Sequence, residues 1–185
     1  MDRDISVGEI DFLTLGGKTV LVTGATGLIG SNIILTLVHL GKKFKHPIKV
    51  VAVVRNETKA KKLFGEIYND VKFVVGDVVK GVEISEKVDY IIHAASQTSS
   101  KAFIERPLET IETAIQGTLN MLRIAKEKKV EKFVYLSTME VYGAPDTDEK
   151  IDEEHDTNLN TMAVRYCYPE SKRMCENLCA SYMEE

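Results

Sequence analysis

Five short apolar runs, rich in valine and other β-branched residues, recur along the chain. Each run is nearly continuous rather than alternating, which is the pattern of strands buried on both faces of a parallel sheet. The runs are KTVLVTG (18–24), KVVAVV (49–54), VKFVVGD (71–77), VDYIIHAA (88–95) and KFVYLS (132–137). The sequence therefore predicts five parallel strands.

Between the runs lie stretches with apolar residues three and four apart, which indicate amphipathic helices. They are residues 29–40 ended by Gly41, residues 57–68 and residues 107–128. Alternating strands and helices form right-handed βαβ units, so we expect an α/β Rossmann-type, doubly wound parallel sheet with helices on both faces. Ligands of such sheets bind at the carboxyl ends of the strands.

The domain organisation expected from this pattern is a NAD(P)-binding Rossmann domain over residues 16–185. Residues 1–15 precede the first strand and read as an N-terminal extension. Residues 144–163 are rich in Asp and Glu and predict an acidic surface loop after the fifth strand.

Composition excludes several classes of protein. The net charge of −4 comes from acids and bases mixed along the chain, so no basic stripe favours nucleic acid as a partner. Apolar runs are far shorter than the roughly 20 residues of a membrane-spanning helix, and the N-terminus does not resemble a secretory signal. We therefore expect a cytoplasmic protein without a membrane partner. The scattered cysteines and histidines favour neither a disulfide framework nor a metal site: Cys167, Cys175, Cys179, His39, His46, His93 and His155.

The segment TVLVTGATGLIG places three glycines at the junction between the first strand and the first helix. Glycine permits a tight turn and a close approach of the backbone to a pyrophosphate, and the helix N-terminus adds unpaired N–H groups. A purely structural strand-to-helix turn would use the same residues. Their position after a strand and before a helix favours a dinucleotide site made by Gly24, Thr26, Gly27, Leu28, Ile29 and Gly30.

The second strand bears on the choice between NAD and NADP. An NAD site offers a carboxylate to the ribose 2′-hydroxyl at the end of that strand, but here Arg55 follows it. A guanidinium grips a 2′-phosphate, so Arg55 favours NADP over NAD, although such an arginine can equally be a solvated surface group. After the third strand, Asp77 and Val78 are expected near the adenine, unless Asp77 is only a turn residue.

Tyr168 and Lys172 are four residues apart, with Pro169 marking the first turn of a helix. Residues at this spacing share a helix face, so the ammonium and the helix N-terminus both favour the phenolate form of the tyrosine. A nearby opposite charge shifts a pKa by roughly 1 to 3 units, which would bring proton exchange by the phenol near neutral pH. An amphipathic helix with a packed tyrosine and a solvated lysine is the plainer alternative.

The end of the fifth strand, KFVYLSTMEVYG, brings Ser137, Thr138 and Glu140 to the same carboxyl edge as the glycine loop. A hydroxyl there can hold a substrate oxygen beside a nicotinamide while the tyrosine moves the proton. The chain carries the glycine loop, then this hydroxyl-bearing strand end, then the Tyr168–Lys172 pair, and that order favours oxidoreductase chemistry. Glu140 is either a base or a polar contact, or it is simply solvated.

With these motifs in place, the chain resembles the extended short-chain dehydrogenase/reductases, and within them the NAD-dependent epimerase/dehydratase family acting on nucleotide sugars. The matching segments are TGATGLIG, GDV with Asp77 and Val78, HAAS with Ala94, Ala95 and Ser96, STMEVYG and YPESK. The resemblance implies that HAAS lines the cofactor and that Thr138 orients the substrate. It also implies that Tyr168 is the general acid/base and that Lys172 binds the nicotinamide ribose and lowers the tyrosine pKa.

Three features depart from the family pattern. Ala114 stands where the family has an asparagine, and Met139 stands where its sugar dehydratases have an aspartate that delivers a proton. The chain also ends at Glu185, before the strands and the substrate-binding domain that family members carry. We therefore expect a truncated cofactor half without that C-terminal domain, with exposed apolar surface that favours a homodimer.

The function predicted from the sequence is the dinucleotide-binding portion of an epimerase, dehydratase or decarboxylase that oxidises a sugar hydroxyl transiently. An NADPH-dependent carbonyl reductase, favoured by Arg55, remains an alternative. So does a non-catalytic NAD(P)-binding scaffold, which would have no obvious use for Thr138, Tyr168 and Lys172 together.

Overall fold

The computed structural model describes residues 12–144, 149–154 and 159–185. Most of the expected N-terminal extension, residues 1–11, lies outside the described residues. So do residues 145–148 and 155–158 of the expected acidic loop.

Five parallel strands form one sheet, in the order β3-β2-β1-β4-β5. The strands are β1 (Thr19–Thr23), β2 (Lys49–Val54), β3 (Val71–Val75), β4 (Tyr90–His93) and β5 (Lys132–Tyr135). All five fall within the apolar runs of the sequence, and the order reverses next to β1, which creates the crevice where such sheets bind ligands. The predicted Rossmann-type parallel sheet is confirmed.

The helices connect the strands. They are α1 (Leu28–Lys43), α2 (Glu57–Phe64), α3 (Ser100–Glu105), α4 (Pro107–Lys128) and α5 (Cys167–Glu184). Short 3-10 helices cover Phe12–Leu15, Gly65–Asp70, Met139–Tyr142 and Val164–Tyr166. The bounds predicted for α4 are confirmed, and its proline start fits the first turn, where a missing N–H costs nothing.

Two predicted helix ends are wrong. Gly41 lies inside α1 rather than ending it. A Cβ there would lie 3.1 Å from the Ile48 nitrogen, so the glycine instead lets the chain that leads into β2 pack closely against the helix. The helix predicted over residues 57–68 breaks at Gly65, whose φ of 49° directs the chain into a 3-10 helix. Helix α3 was not predicted, because its six residues are too few to show a helical period.

The sheet buries apolar side chains on both faces, as the continuous runs predict. On one face, Val20 and Val22 pack against Ile34 of α1. On the other, Leu21 and Ile91 pack with Met121 of α4. Because successive strand residues point to opposite faces, β1 contributes to both clusters and anchors α1 and α4 at once.

Within the described residues, none of the helices has the length and apolar character needed to cross a membrane. Nor do the side chains of that part of the chain group three or more His, Cys, Asp or Glu residues in an arrangement that could hold a metal ion.

Replacing Ile34 by alanine tests the packing of α1, since this side chain is fully buried against the sheet. We expect Ile34→Ala to lower the free energy of unfolding by about 2 to 5 kcal/mol, because it leaves a cavity. Leu35→Ala, one position along the same helix and 38% exposed, should cost less than about 1 kcal/mol. Urea unfolding of both variants measures this, and equal losses would contradict the assigned faces of α1.

Candidate active site

The register of the central strands aligns the residues at one edge of the sheet. Thr23 of β1 pairs with His93 of β4, and His93 pairs with Tyr135 of β5. The residues that follow, including Gly24 and Ala94, therefore meet at the carboxyl ends of the strands. This edge holds most of the predicted site residues.

The glycine loop approaches β4 more closely than a side chain allows. Gly24 has a φ of 63°, and a Cβ built on it would lie 2.5 Å from the Ala94 carbonyl oxygen. A Cβ on Gly30 would clash with the Gly24 carbonyl group. The two glycines thus allow the strand-to-helix turn to close tightly, as the sequence predicts.

The N-terminus of α1 opens at this turn. Gly27 is the N-cap residue, makes no side-chain cap, and accepts the Ser31 N–H on its carbonyl oxygen at 3.0 Å. Leu28 and Ile29, in the first turn, are 83% and 57% exposed. A helix start without a cap presents N–H groups and a partial positive charge, so this cradle fits the pyrophosphate of a dinucleotide.

A buried polar chain ties β1 to β4 beside the glycine loop. Thr23 Oγ1 shares a 2.7 Å hydrogen bond with His93 Nδ1 and accepts the Ala95 N–H at 3.1 Å. His93 is almost fully buried, and burial, together with the nearby charge of Lys172, lowers its pKa to about 3. The imidazole is therefore neutral at physiological pH. It holds the Thr23 hydroxyl, which in turn fixes the backbone N–H of Ala95 in the predicted cofactor-lining segment.

Lys172 lies deep in the site although it carries an ammonium group. Its side chain is buried, and Nζ donates a 2.7 Å hydrogen bond to the Leu136 carbonyl oxygen just beyond β5. Nζ lies 4.6 Å from the ring centroid of Tyr135 and 5.9 Å from that of Tyr168. Burial lowers the pKa of Lys172 to about 8, while Cys175 and Glu176 act in the opposite direction.

Tyr168 is the second residue of α5, and its ring is buried against an element that the sequence did not predict. It stacks on Phe103 of α3, with ring centroids 4.3 Å apart and planes 8° from parallel. The guanidinium of Arg165 lies 5.0 Å from the centroid of the same Phe103 ring. Stacking of this kind restricts the orientation of the phenol.

Thr138 and Glu140 lie just beyond the end of β5. Thr138 Oγ1 accepts the Glu140 N–H at 3.3 Å and so caps the 3-10 helix Met139–Tyr142. The Glu140 carboxylate forms an ion pair with Arg165, with 2.9 Å between the charged atoms. Glu140 is thus not simply solvated. Ser137 donates to the carboxylate of Glu176, which ties α5 to the end of β5.

The predicted cofactor residues that follow β2 and β3 lie in environments different from one another. Arg55 is exposed immediately after β2. Asp77 accepts the Val79 N–H at 2.9 Å, as a turn residue does, and Val78 is buried where a Cβ on Gly117 would touch it. Contact of Asp77 and Val78 with adenine stays a prediction.

Ala94, Ala95 and Ser96 are half-buried after β4, where Ser96 donates to the Gln97 carbonyl oxygen at 3.3 Å. Their contact with a cofactor also stays a prediction.

Three residues of the site carried no signal in the sequence: Phe103, Tyr135 and Arg165. Phe103 lies in a helix too short to be recognised, and Tyr135 is one apolar residue among others in a strand. Arg165 could be noticed only by its position three residues before Tyr168. Their roles depend on contacts between distant segments, which local patterns do not show.

The fold and this edge define a dinucleotide-binding Rossmann domain with a Tyr-x-x-x-Lys pair at the carboxyl ends of its strands. The sequence profile of the NAD dependent epimerase/dehydratase family matches residues 20–185, and the chain belongs to that family.

Its relatives include UDP-glucuronic acid decarboxylase 1 of Xenopus tropicalis, 34% identical over 171 residues that make up 91% of this chain and 38% of that protein. dTDP-D-glucose 4,6-dehydratase of Homo sapiens is 32% identical over 178 residues, 91% of this chain and 47% of that protein. A crystal structure of UDP-glucose 4-epimerase from Bifidobacterium longum in complex with NAD+ and UDP superposes with a TM-score of 0.71 at 25% identity. That superposition covers 89% of this chain and 48% of the epimerase chain. The chain therefore spans less than half the length of these relatives.

The neutral state of His93 predicts a pH dependence of stability. Its pKa is about 3 in the fold, against 6.5 for an unperturbed histidine, so the fold loses stability as the pH falls from 6.5 toward 3. His93→Gln should remove about 1 kcal/mol of the stability change between pH 6.5 and 5.5. Urea unfolding at these two pH values measures this difference.

The control is His39→Gln, on an exposed position of α1, which should keep the pH dependence of the unchanged protein. An unaltered pH dependence in His93→Gln would show that the buried imidazole is not the group responsible.

Proposed function

We propose that this chain is the dinucleotide-binding portion of an oxidoreductase that modifies a nucleotide-linked sugar through transient oxidation of a sugar hydroxyl. The observation that carries the proposal is the fixed ammonium of Lys172. It lies beside Tyr168 at the carboxyl end of β5, on the edge that also carries the glycine loop. The UDP- and dTDP-linked sugars named for the relatives support the substrate class.

NAD or NADP would be held by the turn between β1 and α1. Gly24 and Gly30 leave room for the pyrophosphate, and the first turn of α1 supplies its N–H groups. Ala94, Ala95 and Ser96 would line the nicotinamide end of the cofactor, where the hydrogen bond from Ala95 to Thr23 fixes the backbone. When bound, nicotinamide supplies the chemistry of hydride acceptance and return.

In this proposal Tyr168 takes the proton from the sugar hydroxyl as the carbon-bound hydrogen leaves. Its stacking on Phe103 keeps the ring in one orientation, and the Lys172 ammonium lies 5.9 Å from the centroid of that ring. Thr138 orients the substrate. Because its oxygen accepts the Glu140 N–H, its own O–H is directed to a different partner, and a sugar oxygen suits this role.

Glu140 would act as a polar contact for the sugar rather than as a mobile base. Its carboxylate is engaged in an ion pair with Arg165, and the position of Arg165 over Phe103 limits the movement of both partners. Met139, which stands next to Glu140, has a thioether that delivers no proton. Proton transfer in this proposal therefore depends on Tyr168.

A second candidate function is an NADPH-dependent carbonyl reductase, and the observation that favours it is Arg55. This residue is exposed after β2, where a carboxylate for the NAD ribose would stand. Net consumption of NADPH in the presence of substrate would favour the reductase, whereas a cofactor that is recycled in each turnover favours the sugar-modifying enzyme.

Tyr168→Phe tests the acid/base role. We expect transient cofactor reduction with UDP-glucose, UDP-glucuronic acid or dTDP-glucose to fall by about 10²- to 10⁴-fold, because the proton acceptor is lost. Stopped-flow absorbance of the reduced nicotinamide measures the rate, and calorimetry should find NAD(P)+ affinity nearly unchanged. The matched control, Tyr166→Phe, should retain the rate. Retained turnover in Tyr168→Phe would refute the assigned role, and binding without turnover in the unchanged protein would favour the scaffold.

Arg55→Asp tests the preference for NADP. If the guanidinium holds the 2′-phosphate, NADP+ affinity should fall about 10- to 100-fold while NAD+ affinity holds or rises, since charge-assisted hydrogen bonds contribute about 1.5 to 3 kcal/mol. Calorimetric titration with each nucleotide measures both. The control Lys45→Asp makes the same charge change beyond the far end of α1 and should leave both affinities unchanged. Equal losses for the two nucleotides would contradict a 2′-phosphate contact.

A further inference from the structure

The surroundings of the Lys172 ammonium raise a question of charge compensation. Its side chain is only 3% exposed, and within the described residues its Nζ forms no ion pair. A buried cation without compensation costs several kcal/mol, so other groups must stabilise it. Its one hydrogen-bond acceptor in the described chain is the Leu136 carbonyl oxygen.

The ring of Tyr135 is the nearest aromatic surface to this ammonium. Nζ lies 4.6 Å from the Tyr135 centroid, well within the roughly 6 Å range of a cation–π interaction. The Tyr168 ring, which belongs to the proposed proton acceptor, is farther away at 5.9 Å. Tyr135 ends β5 one residue before Leu136, so the strand supplies both contacts from adjacent positions.

The hydroxyl of Tyr135 makes no hydrogen bond to the described part of the chain that would explain why a tyrosine occupies this position. It is buried beside the Thr118 hydroxyl and the Cys175 thiol, but its contacts fall short of hydrogen-bond geometry in the described residues. A buried hydroxyl without a partner costs free energy. The face of the ring is thus the part of Tyr135 that makes a favourable polar contact.

We propose that Tyr135 is a positioning residue that holds the Lys172 ammonium at the carboxyl end of β5 through the face of its aromatic ring. The role rests on the proposed function of Lys172 beside Tyr168. Tyr135 would touch neither cofactor nor substrate and would act only through the lysine.

The other groups around Lys172 do not replace this contact. His93 of β4 has its pKa lowered by burial and, to a smaller extent, by the Lys172 charge, so it is neutral and offers the ammonium no opposite charge. Glu176 of α5 favours the ammonium but accepts a hydrogen bond from Ser137, and Cys175 is a buried thiol. In the 3-10 helix at the end of β5, Glu140 is paired with Arg165. From α4, Thr118 lies beside the Tyr135 hydroxyl and carries no charge.

The test is the titration of Lys172 in the full chain without cofactor, followed by NMR of ¹³Cε-labelled lysine. A Lys172→Met sample assigns the signal. Starting from a midpoint of about 8, Tyr135→Leu should lower the midpoint by about 0.5 to 1.5 pH units, since loss of the ring destabilises the charged form. Tyr135→Phe keeps the ring face and should leave the midpoint within about 0.3 pH units.

Tyr135→Met provides a second variant without a ring but with a flexible side chain that can fill the space differently. It should also lower the midpoint, so it serves as the test if Tyr135→Leu fails to fold. Amide spectra establish the fold of each variant. An unchanged or raised midpoint in the folded variants without a ring, or equal shifts in Phe and Met variants, would overturn the proposal. Because this titration needs no turnover, its failure is distinguishable from failure of the proposed function, which Tyr168→Phe tests.

Discussion

The close approach of β1 and β4 at their carboxyl ends is the constraint on which the site depends. Gly24 passes so near the Ala94 carbonyl oxygen that no side chain fits between them. The buried Thr23–His93 hydrogen bond joins the same two strands one residue earlier. The turn into α1 is thereby fixed relative to the segment after β4. A dinucleotide bound as proposed would need both, because its pyrophosphate and its nicotinamide would lie at different points of this crevice.

The second constraint is the burial of the Lys172 ammonium, which the proposed function requires but which lowers the stability of the fold. Lys172 has a pKa of about 8 in the fold, against 10.5 for an unperturbed lysine, so folding favours its neutral form. This contribution to stability is present above pH 10.5 and is lost as the pH falls through 8. At neutral pH the fold therefore carries an ammonium that destabilises it. A surface lysine would avoid that cost, but it would not place a fixed positive charge beside Tyr168.

The sheet was predictable from the sequence because its pattern is local. Five apolar runs, the glycine loop and the proline at the start of α4 each mark their own structure within a few residues. Tyr168 and Lys172 were recognisable for the same reason, since one helical turn separates them. By contrast, the stacking of Tyr168 on Phe103 joins segments 65 positions apart, through a six-residue helix whose sequence shows no period. The pairing of Glu140 with Arg165 likewise crosses a loop.

Helix α5 connects the chemistry of the site to the packing of the domain. Its first turn carries Tyr168, its second turn carries Lys172, and Glu176 one turn further accepts a hydrogen bond from Ser137. These residues face the end of β5 or the helices packed beside it, so the helix cannot rotate without separating the ammonium from the Leu136 carbonyl oxygen. The orientation of the proposed acid/base is therefore set by the same contacts that hold α5 on the sheet. It follows that a substitution under α5 can alter the proposed proton transfer without changing the tyrosine, through the geometry of the lysine beside it.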